Sequence, residues 1–205
     1  GIYAAGPVWR GFANSEGQRN WHAATTFHLD WSLYDRADKA VKSAYAGFAW
    51  DPAAFGMRMD AARERLALVA RASKSLEPGR YRAFLAPSAL DEIVGLLGWG
   101  GFSARALETR QSPLARMRER ERLDPRVSIA EDLDGGVAPG FQAEGFARPT
   151  RVGLVHDGAL VGALTSPRTA REFALEANGA NAEESPEAIA MAGGDLDAAD
   201  ALAAL

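Results

Sequence analysis

Between Trp21 and Leu33 the chain alternates residue by residue. Trp21, Ala23, Phe27, Leu29, Trp31 and Leu33 share one parity, and His22, Thr26, His28, Asp30 and Ser32 share the other. A repeat of two places successive side chains on opposite faces of a β-strand, and a helix cannot satisfy it. The segment predicts a long strand with one apolar and one polar face. Residues 2–12 before it and 40–50 after it also read as strands, and Asn14-Ser-Glu-Gly17 has turn chemistry between the first two. Strands joined this closely pair antiparallel.

The pattern then becomes helical. Asp51 is a good N-cap, Pro52 suits the first helical position, and Met59, Leu66 and Val69 recur near helical spacing. Leu76-Glu-Pro-Gly79 breaks the helix and predicts a boundary near 73–79, dividing the chain into two α+β regions: 1–75, the later part of an N-terminal or middle region, and 76–205, an incomplete C-terminal domain. Beyond it we expect a strand over 80–85 and a helix opening at Pro87-Ser88, with Ser88 and Asp91 as an approximate capping box. That helix should end near Gly98-Trp-Gly-Gly101, followed by a charged helix over 103–122. Strands return from Arg126, and residues 151–164 predict a hairpin turning at Asp157-Gly158. The expected class is α+β, with antiparallel sheets and several helices packed against them.

Hydrophobic residues at 47% and charged residues at 24% describe an ordinary globular protein. No apolar run approaches the roughly 20 residues that span a bilayer, and no signal peptide opens the chain, so a soluble, cytoplasmic protein without membrane contact is expected. The absence of cysteine excludes disulfides and thiolate metal sites. A net charge of −4 argues against a nucleic-acid partner. The opening at Gly1 and the uncapped helical reading of residues 200–205 predict a segment of a longer protein.

Several residues invite chemical readings. His22 and His28 share the polar face of one strand, but six residues along a strand is about 20 Å, too far for one ion to hold both. His156 precedes a polar hairpin tip. Asp132, Asp134, Gly135 and Gly136 lack the full alternation and the closing Glu of a calcium loop, so a solvated turn is expected. Gly98-Trp-Gly-Gly-Phe102 lacks the Lys-Ser/Thr pair of a phosphate loop. In Arg116-Met-Arg-Glu-Arg-Glu-Arg122 alternating signs predict a solvated face. Asn178-Gly-Ala-Asn181 is a turn whose amides could reach a peptide backbone.

Six stretches, taken together and in order, carry a family resemblance. They are Gly11-Phe-Ala-Asn-Ser-Glu-Gly-Gln-Arg-Asn-Trp21, Asp38-Lys-Ala-Val-Lys42, Pro78-Gly-Arg-Tyr-Arg82, Leu97-Gly-Trp-Gly-Gly-Phe-Ser103, Gly140-Phe-Gln-Ala-Glu-Gly-Phe146, and Ser166-Pro-Arg-Thr-Ala-Arg-Glu172 with Asn178-Gly-Ala-Asn181. The chain resembles the TldD/PmbA family, known also as modulators of DNA gyrase, and specifically its PmbA-like branch. The resemblance implies an N-terminal region and C-terminal strands outside these residues.

It further implies paired cytoplasmic subunits, one of them a zinc metallopeptidase that acts on unfolded or leader-bearing peptides within an enclosed cavity. The family's catalytic subunit carries His-Glu-x-x-x-His on a helix, with the histidines on zinc and the Glu as general base. That motif falls here on Asp91-Glu-Ile-Val-Gly-Leu96. Glu92 keeps the position of the base, as a remnant, while Asp91 and Leu96 replace the histidines, and leucine offers no donor. The expectation is a subunit with no metal site or cofactor of its own, paired with a zinc-bearing TldD-like partner. His22, His28, Asp30 and Asn178 are its candidate peptide contacts, because strand edges recognise extended peptides through the backbone. Two alternatives stay open: a metal-dependent peptidase in its own right, or a homodimer that binds peptides without cleaving them.

Overall fold

The computed structural model describes residues 1–36, 38–196, 200, 201 and 203. Among the described residues two antiparallel sheets and four α-helices make an α+β fold. The first sheet has the order β1-β2-β3, from β1 (Ile2–Ala13), β2 (Arg19–Arg36) and β3 (Lys39–Gly47). The second has the order β6-β5-β4-β7, from β4 (Ile129–Asp132), β5 (Arg151–His156), β6 (Ala159–Leu160) and β7 (Ile189–Met191). By compactness residues 1–10 and 23–80 form one unit, and residues 11–22 with 81–205 form another.

In the first unit β2 and β3 pair with Leu29 opposite Tyr45, Trp31 opposite Ser43 and Leu33 opposite Val41. Helix α1 (Pro52–Val69) covers one face of this sheet. Phe27, Trp31 and Tyr45 form the buried centre, against which Leu29, Leu33, Phe55 and Met59 pack. Aromatic rings meet edge-on here, Trp31 with Phe55 at 5.6 Å and Phe27 with Tyr45 at 4.9 Å. Helix α1 starts where its sequence predicts: an Asp51 carboxylate oxygen accepts the Ala53 N–H at 2.8 Å and Pro52 stands in the first turn.

The alternation in β2 holds in period but not in one continuous face. From Phe27 to Leu33 the odd-numbered residues are covered, as the pattern predicts. Between Asn20 and Thr26 the even-numbered residues are the less exposed, and Trp21 leaves 69% of its surface open. A strand twists and can cross from one packing environment to another, so parity marks two faces without saying which is covered at each end.

The second unit is centred on Phe102, Leu107, Ile129, Leu154, Val155 and Leu164. Its hairpin turns at Asp157 and Gly158, both in the left-handed region (φ 47° and 73°), as a type I′ turn requires. Strand β6 stops at Leu160 rather than continuing to Leu164, because the N–H groups of Val161 and Gly162 both point to the carbonyl of Leu154 and end the ladder.

Three local expectations give way. Residues 80–85 adopt no strand. Helix α2 (Pro87–Leu97) is capped by Ala86 without a side-chain bond: Pro87, with no N–H and a preset φ, occupies the first turn and shifts Ser88 out of the capping position. The charged helix expected over 103–122 is only α3 (Ala104–Glu108) and a 3-10 turn at Ala115–Arg118. Arg110 at φ 57° reverses the chain, and Ser112 binds the Gly101 carbonyl at 2.7 Å and the Leu114 N–H at 3.0 Å, holding a break that Pro113 reinforces.

Candidate functional site

Helix α4 (Pro167–Phe173) and α3 begin alike, with a serine N-cap whose hydroxyl accepts a main-chain N–H of the first turn: Ala106 for Ser103 at 3.1 Å and Thr169 for Ser166 at 3.2 Å. One carboxylate joins the two starts. Glu184, only 2% exposed, accepts the Ser103 hydroxyl at 2.6 Å and the Arg105 N–H at 2.9 Å on one oxygen, and the Ser166 N–H at 2.8 Å on the other. Burial alone would raise its pKa, but the bonds from Ser103, Arg105, Ser166 and Thr169 outweigh that and hold the carboxyl below its ordinary range. Glu184 also sits in the left-handed region at φ 53°, so backbone strain is accepted here to aim the side chain inward.

A second buried carboxylate braces the adjoining loop. Glu131, on the central strand β4, is 1% exposed and accepts Arg148 Nη2 at 2.5 Å, the Glu187 N–H at 2.9 Å and the Ala188 N–H at 3.2 Å. Arg148 Nη1 also stands 3.1 Å from Glu187 Oε2, close enough to attract but outside hydrogen-bond geometry. Arg148 closes the loop 140–148, and its N–H donates to the Gly140 carbonyl at 2.9 Å. At the tip of that loop Gly145 takes φ 87°, and a Cβ there would collide with the Phe12 ring.

Between this loop and the start of α4 lies a cleft of about 210 Å³, bounded by Gln142, Glu144 and Phe146, by Ser166 to Thr169, and by Arg105 and Ala180. Three of the stretches that carry the family resemblance meet here: 140–146, 166–172 and 178–181.

The residues singled out from sequence occupy several places. His28 Nε2 pairs with Asp30 Oδ2 at 3.1 Å on an open part of the first unit. His22 belongs to the second unit, and its Nε2 is buried without a hydrogen-bond partner among the described residues. Glu92 is exposed on α2, where Val94 alone among residues 91–96 is buried. Asn178 spends its amide internally: Oδ1 accepts the Thr165 N–H at 2.9 Å, and Nδ2 donates to the Ala163 carbonyl at 2.7 Å, much as a neighbouring strand would. Apart from the His28–Asp30 pair, no bond connects these candidates among the described residues. Asp132, in the loop once compared with a cation site, is bound by Arg151 and accepts the Asp134 N–H at 3.1 Å, as a solvated turn would be.

Zinc does not fit the donors on α2. Asp91 and Glu92 are neighbours whose side chains diverge around the helix, Leu96 has no donor atom, and among the described residues no group of three His, Cys, Asp or Glu side chains could hold an ion. Sequence reasoning passed over Glu184 and Glu131, because isolated acids in polar or strand-edge contexts read as surface residues. Ser166-Pro167 did carry a signal, since an N-cap serine before proline marks a helix start.

Three solved structures share this architecture. A Thermotoga maritima protein assigned as a modulator of a DNA gyrase matches with a TM-score of 0.75 and 20% identity over 94% of this chain and 46% of its own. TldE from Thermococcus kodakarensis gives 0.69 and 16% over 97% and 48%. A Bacteroides thetaiotaomicron protein assigned as a modulator of DNA gyrase gives 0.67 and 14% over 98% and 46%. The chain therefore spans about half the length of each, and identities this low speak for the fold alone. No curated protein matches. Residues 78–204, more than half of the chain, match the family model of the PmbA/TldA metallopeptidase C-terminal domain, and the chain belongs to that TldD/PmbA family. No helix among the described residues is long and apolar enough to cross a membrane.

Proposed function

We propose that this chain is a PmbA-like, zinc-less subunit of a cytoplasmic TldD/PmbA-type peptidase assembly. It holds unfolded or leader-bearing peptides while a zinc-bearing TldD-like partner cleaves them. The carrying observation is on α2: Asp91 and Leu96 stand where the resemblance places two zinc-binding histidines, leucine offers no donor atom, and Glu92 is exposed. Family membership, and the lack among the described residues of a group of metal-binding side chains around Glu92, support this reading; homodimerisation is the alternative assembly.

The test is the zinc content of the full chain purified alone without chelators, paired with a peptide-cleavage assay. We expect near-zero zinc per chain, no cleavage by the chain alone, and unchanged cleavage by the assembly after Glu92→Gln. Stoichiometric zinc with cleavage lost in Glu92→Gln would instead make this chain the peptidase.

A further inference from the structure

The cleft between loop 140–148 and α4 presents two cations to solvent. Arg105 and Arg168 line it, both side chains are exposed, and neither has an ion-pair or side-chain hydrogen-bond partner among the described residues. Beneath them the polar groups are already committed: Ser166 Oγ donates to Thr169 Oγ1 at 3.1 Å, and the Glu184 carboxylate is enclosed by its donors. What remains for a ligand is two guanidinium groups, the Gln142 amide nitrogen (its oxygen accepts the Glu144 N–H), the Glu144 carboxylate, the half-open ring of Phe146 and the small side chains of Ala180 and Ala182.

That set is selective. A guanidinium presents paired N–H donors in a planar fork that matches a carboxylate. The volume of about 210 Å³ lies below the roughly 300 Å³ at which pockets for whole small molecules begin, so it suits one residue of a chain rather than a cofactor. Phe146 and the alanines give that residue an apolar wall. Glu144 repels a second carboxylate and can accept a peptide N–H. We infer that this cleft is a subsite for the terminal carboxylate of a bound peptide, with the last side chain lying against Phe146. The inference rests on the peptide-binding reading above and adds which end of the peptide is recognised.

Three labelled versions of one unstructured peptide, otherwise free of Asp and Glu, test it by fluorescence anisotropy with the full chain: the free acid, the C-terminal amide, and the amide with one internal Glu. The acid should bind about tenfold more tightly than either amide, the loss expected when a charge-assisted bond is removed. Arg105→Gln and Arg168→Gln should each weaken acid binding toward the amide value while leaving amide binding and the circular dichroism melting curve unchanged. Equal binding of acid and amide would overturn the subsite and leave peptide binding standing. Tight binding of the Glu-bearing amide would overturn the terminal assignment in favour of an acidic side chain. Failure of all three to bind would overturn both readings.

Discussion

Asn20 Nδ2 donates to the main-chain carbonyl of Gly145 at 2.9 Å, across 125 residues of sequence, and Gln18 Nε2 reaches the same oxygen at 3.3 Å. The β1–β2 hairpin tip thus holds the loop that walls the cleft. The tip is itself fastened by local bonds, since Asn14 Oδ1 accepts the Gln18 N–H at 3.1 Å and Gly17 turns at φ 85°.

Replacing Asn20 with Ala removes the shorter of the two bonds. The expected loss is about 1 kcal/mol in urea unfolding, with faster hydrogen exchange at the amides of residues 141–147 than elsewhere. Gly145→Ala should cost more, because it adds strain at positive φ and pushes against Phe12. An Asn20→Ala variant whose loop exchanges no faster would mean that the hairpin tip does not position the loop.

Arg148 is the buried partner of Glu131, both side chains being at most 3% exposed. Truncating a buried charge leaves the other uncompensated, so Arg148→Met should destabilise by about 3–5 kcal/mol. Glu131→Gln should cost less, since its amide oxygen still accepts from Glu187 or Ala188. A double-mutant cycle checks the coupling, and additive losses would refute it.

The depressed pKa of Glu184 predicts acid sensitivity. A carboxyl that ionises more readily when folded binds fewer protons in the native than in the unfolded state, so its stabilisation is present above the ordinary value of 4.5 and is lost as pH falls through the folded pKa. Glu184→Gln should flatten stability against pH below that value without abolishing the slope, because Arg118 and Arg126 also hold Glu108 and Asp124 low. Chemical unfolding at a series of acidic pH values tests this; an unchanged slope would contradict it.

Asn178 separates a structural from a recognition role. Asn178→Ala leaves the Thr165 N–H and the Ala163 carbonyl without their side-chain partner and should cost about 1–3 kcal/mol, with peptide affinity of the folded protein unchanged. An affinity loss at full stability would restore it as a peptide contact.

Much of the fold was legible because its signals are local. Asp51-Pro52 starts a helix and Asp157-Gly158 closes a hairpin through dihedral preferences and bonds that act within a few residues. The same locality explains the failures. Ser88 has capping chemistry, yet proline beside it determines the helix start, and the charged run after Ser103 has helical composition, yet a Ser112 hydroxyl bound to Gly101 breaks it. Of the candidate site, the three stretches that converge on it could be read from their residues, whereas the cleft they form could not.

By itself the sequence determined the α+β class, the antiparallel pairing among β1, β2 and β3, and the turns, because each depends on residue type and short spacing. Tertiary structure alone decided which face of β2 is covered at each end, that Glu131 and Glu184 are interior anchors, and that Arg105 and Arg168 share one cleft. Burial and bonding partners are set by residues distant in the chain, and a carboxylate leaves water only where donors from several segments converge to replace it.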